Sequence, residues 1–142
     1  MRTKLAVIAV LALCLGAKVD DAKKDKDKVQ GEWTMASGER DGNEIPEEFV
    51  KSLKRVMKGD TFEVTREGET LAKGTFTLNE SKTPKTIDLK LEGTDEPVHG
   101  IYEMADDTLK ICYASPGAER PKEFSAKSGS GCTLAVWKRV KK

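Results

Sequence analysis

From Val29 onward, apolar and polar residues alternate in short runs separated by turn residues. Gly31, Trp33 and Met35 share one parity, and Glu32, Thr34 and Ala36 share the other. Alternate side chains of a strand point to opposite faces, so this run predicts a first strand that buries Trp33. Phe62 and Val64 set the inner face of Thr61 to Arg66. Ala72, Gly74, Phe76 and Leu78 set that of Thr70 to Leu78. Ile87, Leu89 and Leu91 alternate cleanly with Asp88 and Lys90. Val98 to Met104 places Gly100 and Tyr102 inward, and Leu109, Ile111 and Tyr113 line the next strand. Cys132 to Val140 reads as the last strand, with Leu134 and Val136 inward.

The breaks between these runs carry turn residues. Arg40 to Glu44, Lys58-Gly59-Asp60, Glu67-Gly68-Glu69, Asn79 to Lys85, Glu92 to Pro97 and Asp106-Asp107 all read as turns. One helix is predicted. Ile45-Pro46-Glu47-Glu48 has the proline and acids of a helix N-terminus, and Phe49, Val50 and Leu53 give it an apolar side. It reads as a short lid or plug. Ser115 to Gly131 is a long irregular segment, in which Phe124 is expected to pin the loop over one barrel end. About eight strands joined by short turns predict an all-β, up-and-down antiparallel barrel with one short helix after the first strand. Closure would remove both sheet edges. An open two-sheet sandwich is the alternative.

The N-terminal stretch has a different pattern. Arg2 and Lys4 precede an uncharged apolar run from Leu5 to Leu15, and small residues come next at Gly16 and Ala17. Residues 1–17 therefore read as a secretory signal peptide, too short for a membrane-spanning helix. Cys14 comes directly after the bulky Leu13, which departs from a lipoprotein signal, so an apolar role is favoured over lipidation. Residues 18–28 alternate Lys and Asp with almost nothing apolar, and are expected to be a flexible linker. Residues 29–142 form the domain. Export places it in the periplasm or outside the cell.

Charge then removes several function classes. Among 142 residues, 25 Lys and Arg face 24 Asp and Glu, a net charge of +1. This gives no basic stripe for nucleic acid and no polybasic membrane binder. His99 is the single histidine; it shares parity with Ile101 and Glu103 and reads as solvent-facing. With three cysteines, it leaves no ligand set for a metal. Ser128-Gly129-Ser130-Gly131 lacks a strand-to-helix elbow, and the carboxylates fall in turns and on outward positions. No catalytic centre and no cofactor is expected, so the chain does not read as an enzyme.

The candidate site is the barrel interior. Trp33, Phe62, Phe76, Tyr102 and Tyr113 fall on inward parity, and inward Gly74 and Gly100 argue for space between them. A barrel of this size can hold one small ligand or be filled by side chains. The first reading is a binding module for a small hydrophobic molecule. The second is a solid-core, monomeric module that meets an envelope protein.

After signal removal Cys112 and Cys132 remain, flanking the long loop. A disulfide between them would suit an oxidising compartment. Strand parity opposes it, with Cys112 outward beside Lys110 and Cys132 inward beside Leu134, unless a bulge reorients one of them.

Several segments together resemble a known family. They are Gln30-Gly31-Glu32-Trp33, Glu39-Arg40-Asp41-Gly42, Ile45-Pro46-Glu47-Glu48, Gly74-Thr75-Phe76 and Lys85-Thr86-Ile87-Asp88-Leu89. Gly100-Ile101-Tyr102-Glu103, Asp107 to Cys112, Arg120-Pro121-Lys122-Glu123-Phe124 and Gly129-Ser130-Gly131 complete the set. In this order they resemble the planctomycete-type lipocalin-like domain, a family of small secreted bacterial domains. The resemblance implies a lipocalin-like fold and no activity. In broader lipocalins a basic residue of the last strand covers the first-strand Trp. Parity favours Lys138 for that role, while the family ending favours Arg139.

Overall fold

The computed structural model describes residues 24–141. The stretch read as a signal peptide, with Cys14, and most of the expected linker lie outside the described residues. The elements in chain order are α1 (Asp25–Lys28), β1 (Gly31–Arg40), β2 (Asn43–Glu44), α2 (Glu47–Ser52), β3 (Leu53–Lys58) and β4 (Thr61–Arg66). Then come β5 (Glu69–Asn79), β6 (Thr86–Leu91), β7 (Val98–Ala105), β8 (Thr108–Tyr113) and β9 (Thr133–Arg139). Each strand from β3 onward pairs antiparallel with its sequence neighbour. β1 pairs with both β3 and β9, which closes the sheet. The result is an eight-stranded up-and-down barrel, with β2 as a two-residue extension hairpinned onto β1.

Burial alternates as the apolar pattern requires. Trp33, Met57, Phe62, Phe76, Ile87, Leu89, Val98, Tyr102, Leu109, Ile111, Ala135 and Trp137 form one continuous core inside the barrel. Outward neighbours such as Thr34, Lys54, Lys73, Lys90 and Glu103 are exposed. The register between β1 and β9 shifts between Met35 and Ser37. Such a bulge exchanges the two faces for the rest of the strand. Trp33 and Met35 point inward before it; after it Gly38 takes the inner parity, and Arg40, opposite Thr133 at the strand end, is exposed.

Four local expectations are corrected. The helix ends at Ser52, so Leu53 opens β3 as an inward strand residue. The end of the supposed flexible linker is ordered: Asp25–Lys28 makes one helical turn and Asp25 is buried. In β9 the inward residues are Thr133, Ala135 and Trp137, while Leu134 and Val136 point outward. The run Leu134-Ala135-Val136-Trp137 is apolar on both parities, and the large indole takes the interior. Phe124 does not cover a barrel end. It packs on the outer face with Ile101, Cys112 and Leu134, beneath Lys110 Nζ at 5.1 Å from the ring centroid.

Candidate functional site

One end of the barrel is closed by the segment before β1. Asp25 Oδ2 accepts from Lys85 Nζ at 2.8 Å and from the Tyr102 hydroxyl at 2.7 Å. Burial by itself would raise the Asp25 carboxyl; these two donors hold it below the usual carboxylate range. Burial and the Asp25 carboxylate push the Tyr102 phenol well above its usual value, so it stays a donor. The Trp33 indole donates to the Val29 carbonyl at 2.9 Å. Arg139 covers the ring and donates to the carbonyls of Gln30 and Lys28. The last-strand partner of Trp33 is therefore Arg139 and not Lys138, in keeping with the corrected parity of β9. Gly31 sits at φ +117°, and a Cβ there would lie 3.4 Å from the Arg139 Nη1. This glycine leaves the guanidinium room to reach over Trp33.

The other end is capped by α2. Val50 is buried, and Phe49 packs against the barrel core beneath the Arg66 guanidinium, 4.7 Å from the ring centroid. Arg66 Nε also donates to the Ser52 hydroxyl at 2.8 Å. Around this end the apolar residues at interior positions are only half-buried: Val64, Ala72, Leu91 and Tyr113. Leu78 and Met104, at the Asp25 end, are half-buried in the same way.

The sequence-derived interior residues are largely where parity placed them. Trp33, Phe62, Phe76 and Tyr102 are buried in one core, with Tyr113 at its half-exposed edge. Gly74 and Gly100 have a different role from the one expected. A Cβ on Gly74 would lie 1.9 Å from the Lys90 carbonyl oxygen, and one on Gly100 would lie 2.7 Å from that of Cys112. Both glycines let neighbouring strands approach closely, and neither opens space.

Arg55 was not legible as an interior residue. It sits on β3 between Leu53 and Met57, pairs with Trp33 on β1 and Val64 on β4, and is 3% exposed. Its guanidinium carbon lies 4.9 Å from the Phe62 ring centroid and 5.5 Å from that of Trp137. Arg55 Nε contacts the Met57 sulfur at 3.2 Å. Its Nη2 and the Trp137 Nε1 are both buried without a hydrogen-bond partner. Burial pulls the guanidinium down to about 10, against a small opposing influence from Tyr113, so it is charged at neutral pH. The run Leu-Lys-Arg-Val-Met-Lys hides this placement, because a charged residue at an inner position breaks the alternation.

Outside the barrel, the long loop covers β7, β8 and β9. Arg120 donates to the carbonyls of Gly100 at 2.8 Å and Ile87 at 3.3 Å, and to Asp88 Oδ1 at 2.8 Å. His99 Nδ1 lies 2.7 Å from the same Asp88 oxygen. His99 is thus half-buried beside a carboxylate and an arginine rather than free in solvent. Burial would raise the Asp88 carboxyl, but His99 and Arg120 hold it below its ordinary range. Cys112 and Cys132 are both buried free thiols in the cluster beneath this loop. They lie on one face, not on opposite faces, because Cys132 shares the outward parity of Leu134.

Among the described residues, no three His, Cys, Asp or Glu are placed to hold a metal ion. No helix among them is long and apolar enough to cross a membrane. No family model, no curated protein and no solved structure matches the chain.

Proposed function

We propose that the chain is a secreted or periplasmic binding module of the planctomycete lipocalin-like type, taking a small, largely apolar molecule at the α2-capped end of its barrel. One observation carries this reading: the barrel is asymmetric. Its Asp25 end is locked by ion pairs and hydrogen bonds. Its other end is covered by a helix of six residues, with Val64, Ala72, Leu91 and Tyr113 partly buried beneath the rim. Apolar side chains with a few polar groups are what a small-molecule site needs.

The alternative is a solid module that docks an envelope protein. It would need an apolar outer patch. Among the described residues the one exposed large hydrophobic side chain is Leu71. That disfavours docking through such a patch and leaves the interior as the stronger candidate.

Native mass spectrometry of protein purified from its own host tests the reading. A retained small molecule, released on denaturation, is the expected result. Protein that is ligand-free from its host, and stays so with every apolar probe added, would overturn it.

A further inference from the structure

The outer face of β9 carries an apolar strip that is sealed over only part of its length. Leu134 packs with Ile101 and Cys112 beside Phe124 of the long loop. Val136, the next outward residue, stands outside both this cluster and the barrel core. It lies opposite Ser37, where the register between β1 and β9 slips. Ala36 is the extra residue of that bulge, and it is exposed. Bulges re-aim side chains and recur beside functional sites. Ala36, Leu134 and Val136 line an open groove of about 300 Å³ that runs to the start of α2.

The rim of the same groove is acidic, with Glu39, Glu44 and Glu47. Glu39 and Glu44 face each other directly across β1 and β2. Like charges in that position destabilise a sheet. Among the described residues Glu47 pairs with Lys51, and neither Glu39 nor Glu44 has a cation at ion-pair distance. The neighbouring cations are engaged elsewhere. Lys110, opposite Val136, pairs with Glu103 and sits over Phe124. Arg40 donates to the Thr133 hydroxyl. The complement of an apolar floor with an uncompensated acidic rim is an apolar side chain flanked by cations. A bare cation would leave the floor unfilled, and an anionic membrane surface would be repelled.

We infer that this groove is an interaction surface for a basic segment of a partner protein. One aliphatic side chain of the segment lies over Ala36 and Val136, and a Lys or Arg beside it meets Glu39 and Glu44. The floor is recessed, so the apolar contact is brought by the partner and needs no protruding side chain on this face. A contact this small is weak, transient and sensitive to salt. It lies on the outer face and stands or falls independently of any ligand in the barrel interior.

The experiment is an NMR titration of the nitrogen-labelled protein at low salt. The probes are end-blocked peptides Lys-Lys-Leu-Lys-Lys, Lys-Lys-Gly-Lys-Lys and Glu-Glu-Leu-Glu-Glu, with spermidine as a cation lacking an apolar side chain. The leucine peptide should shift the amides of Ala36, Ser37, Glu39 and Leu134 to Val136 saturably. It should bind about fivefold tighter than the glycine peptide and spermidine, and the acidic peptide should not bind. Glu39→Gln combined with Glu44→Gln should weaken it about fivefold, with the urea midpoint unchanged or raised. Ala36→Arg fills the groove from within and should abolish binding. Equal affinity for the leucine peptide, the glycine peptide and spermidine would reduce the groove to a bare acidic surface and overturn the inference. So would shifts confined to other residues, no binding, or wild-type affinity in both variants. A sharply lowered urea midpoint in the double variant would give the glutamates a structural role and sink it. A dimer in sedimentation that Ala36→Arg dissociates would make a second copy the occupant and overturn the partner assignment.

Discussion

Arg139 lies over Trp33, its guanidinium carbon 4.3 Å from the ring centroid. These residues are cross-strand partners on β9 and β1, so the contact sits at the seam where the barrel closes. The same guanidinium donates to two carbonyls of the segment before β1 and to Asp107 Oδ1 at 3.3 Å. One side chain thus joins the seam, the N-terminal segment and the β7–β8 turn.

Arg139→Ala removes a stacked cation and several charge-assisted hydrogen bonds. A cation over an indole contributes roughly 0.5–2 kcal/mol, and hydrogen bonds to charged groups about 1.5–3 kcal/mol. A loss of about 2–4 kcal/mol in urea unfolding is expected. Arg139→Lys should recover only part of it, since an ammonium lacks the fork. Equal stability of Lys and wild type would show that charge alone matters here.

Asp25 gives a pH test with a defined sign. Its carboxyl is held below the ordinary range by Lys85 and Tyr102 despite burial. A depressed carboxyl stabilises the fold fully above its unfolded value, about 3.9, and this is lost as pH falls through the lower folded value. The stability gap between wild type and Asp25→Ala should therefore be constant above about pH 4 and shrink below it. Urea melts across that range measure it, and a gap that widens on acidification would contradict the assignment. Hydrogen exchange should show the amides of α1 losing protection in the same window.

The barrel was legible because its inner positions are apolar and its outer ones charged over most strands. Ile87-Asp88-Leu89-Lys90-Leu91 leaves only one register that buries the apolar set. The pattern failed where both parities look alike or where the interior is polar. Leu134 to Trp137 is apolar throughout, so parity could not choose a face, and the error spread to Cys132 and Lys138. Arg55 and Asp25 are charged and buried, which periodicity assigns to solvent. Their partners, Trp137, Tyr102 and Lys85, come from distant parts of the chain, and no local signal announces them. The polar part of the candidate site was therefore the part that the sequence concealed.

Cys132 was also misplaced by that parity error, while Cys112 lies on the outer face as its parity required. Cys112 and Cys132 are free and share one cluster under the long loop. Burial pushes the Cys112 thiol up, with a backbone hydrogen bond from Ser125 acting against it and Cys132 adding to it. Thiolate is the reactive form, so the native protein should label slowly with a thiol reagent. Unfolded in the absence of reductant, it should show two reactive thiols per chain. None, with a mass lower by about 2 Da, would mean that the pair closes into a disulfide.

The loop over those thiols is fastened by Arg120, and this makes its release measurable. Arg120 holds two strand carbonyls and the Asp88 carboxylate, and Phe124 seats beside Cys112. Labelling of buried thiols requires the loop to lift, so the rate reports the local opening free energy. Removing the guanidinium in Arg120→Ala forfeits hydrogen bonds to a charged group, about 1.5–3 kcal/mol. Each 1.4 kcal/mol is tenfold, so labelling in the native state should accelerate by about ten- to a hundredfold. Global stability should fall much less, because the barrel strands and their core stay intact. The urea midpoint and the labelling rate of the same sample separate the two effects. An unchanged rate would mean that Phe124 alone holds the loop, and Phe124→Ala would then be the variant that releases it.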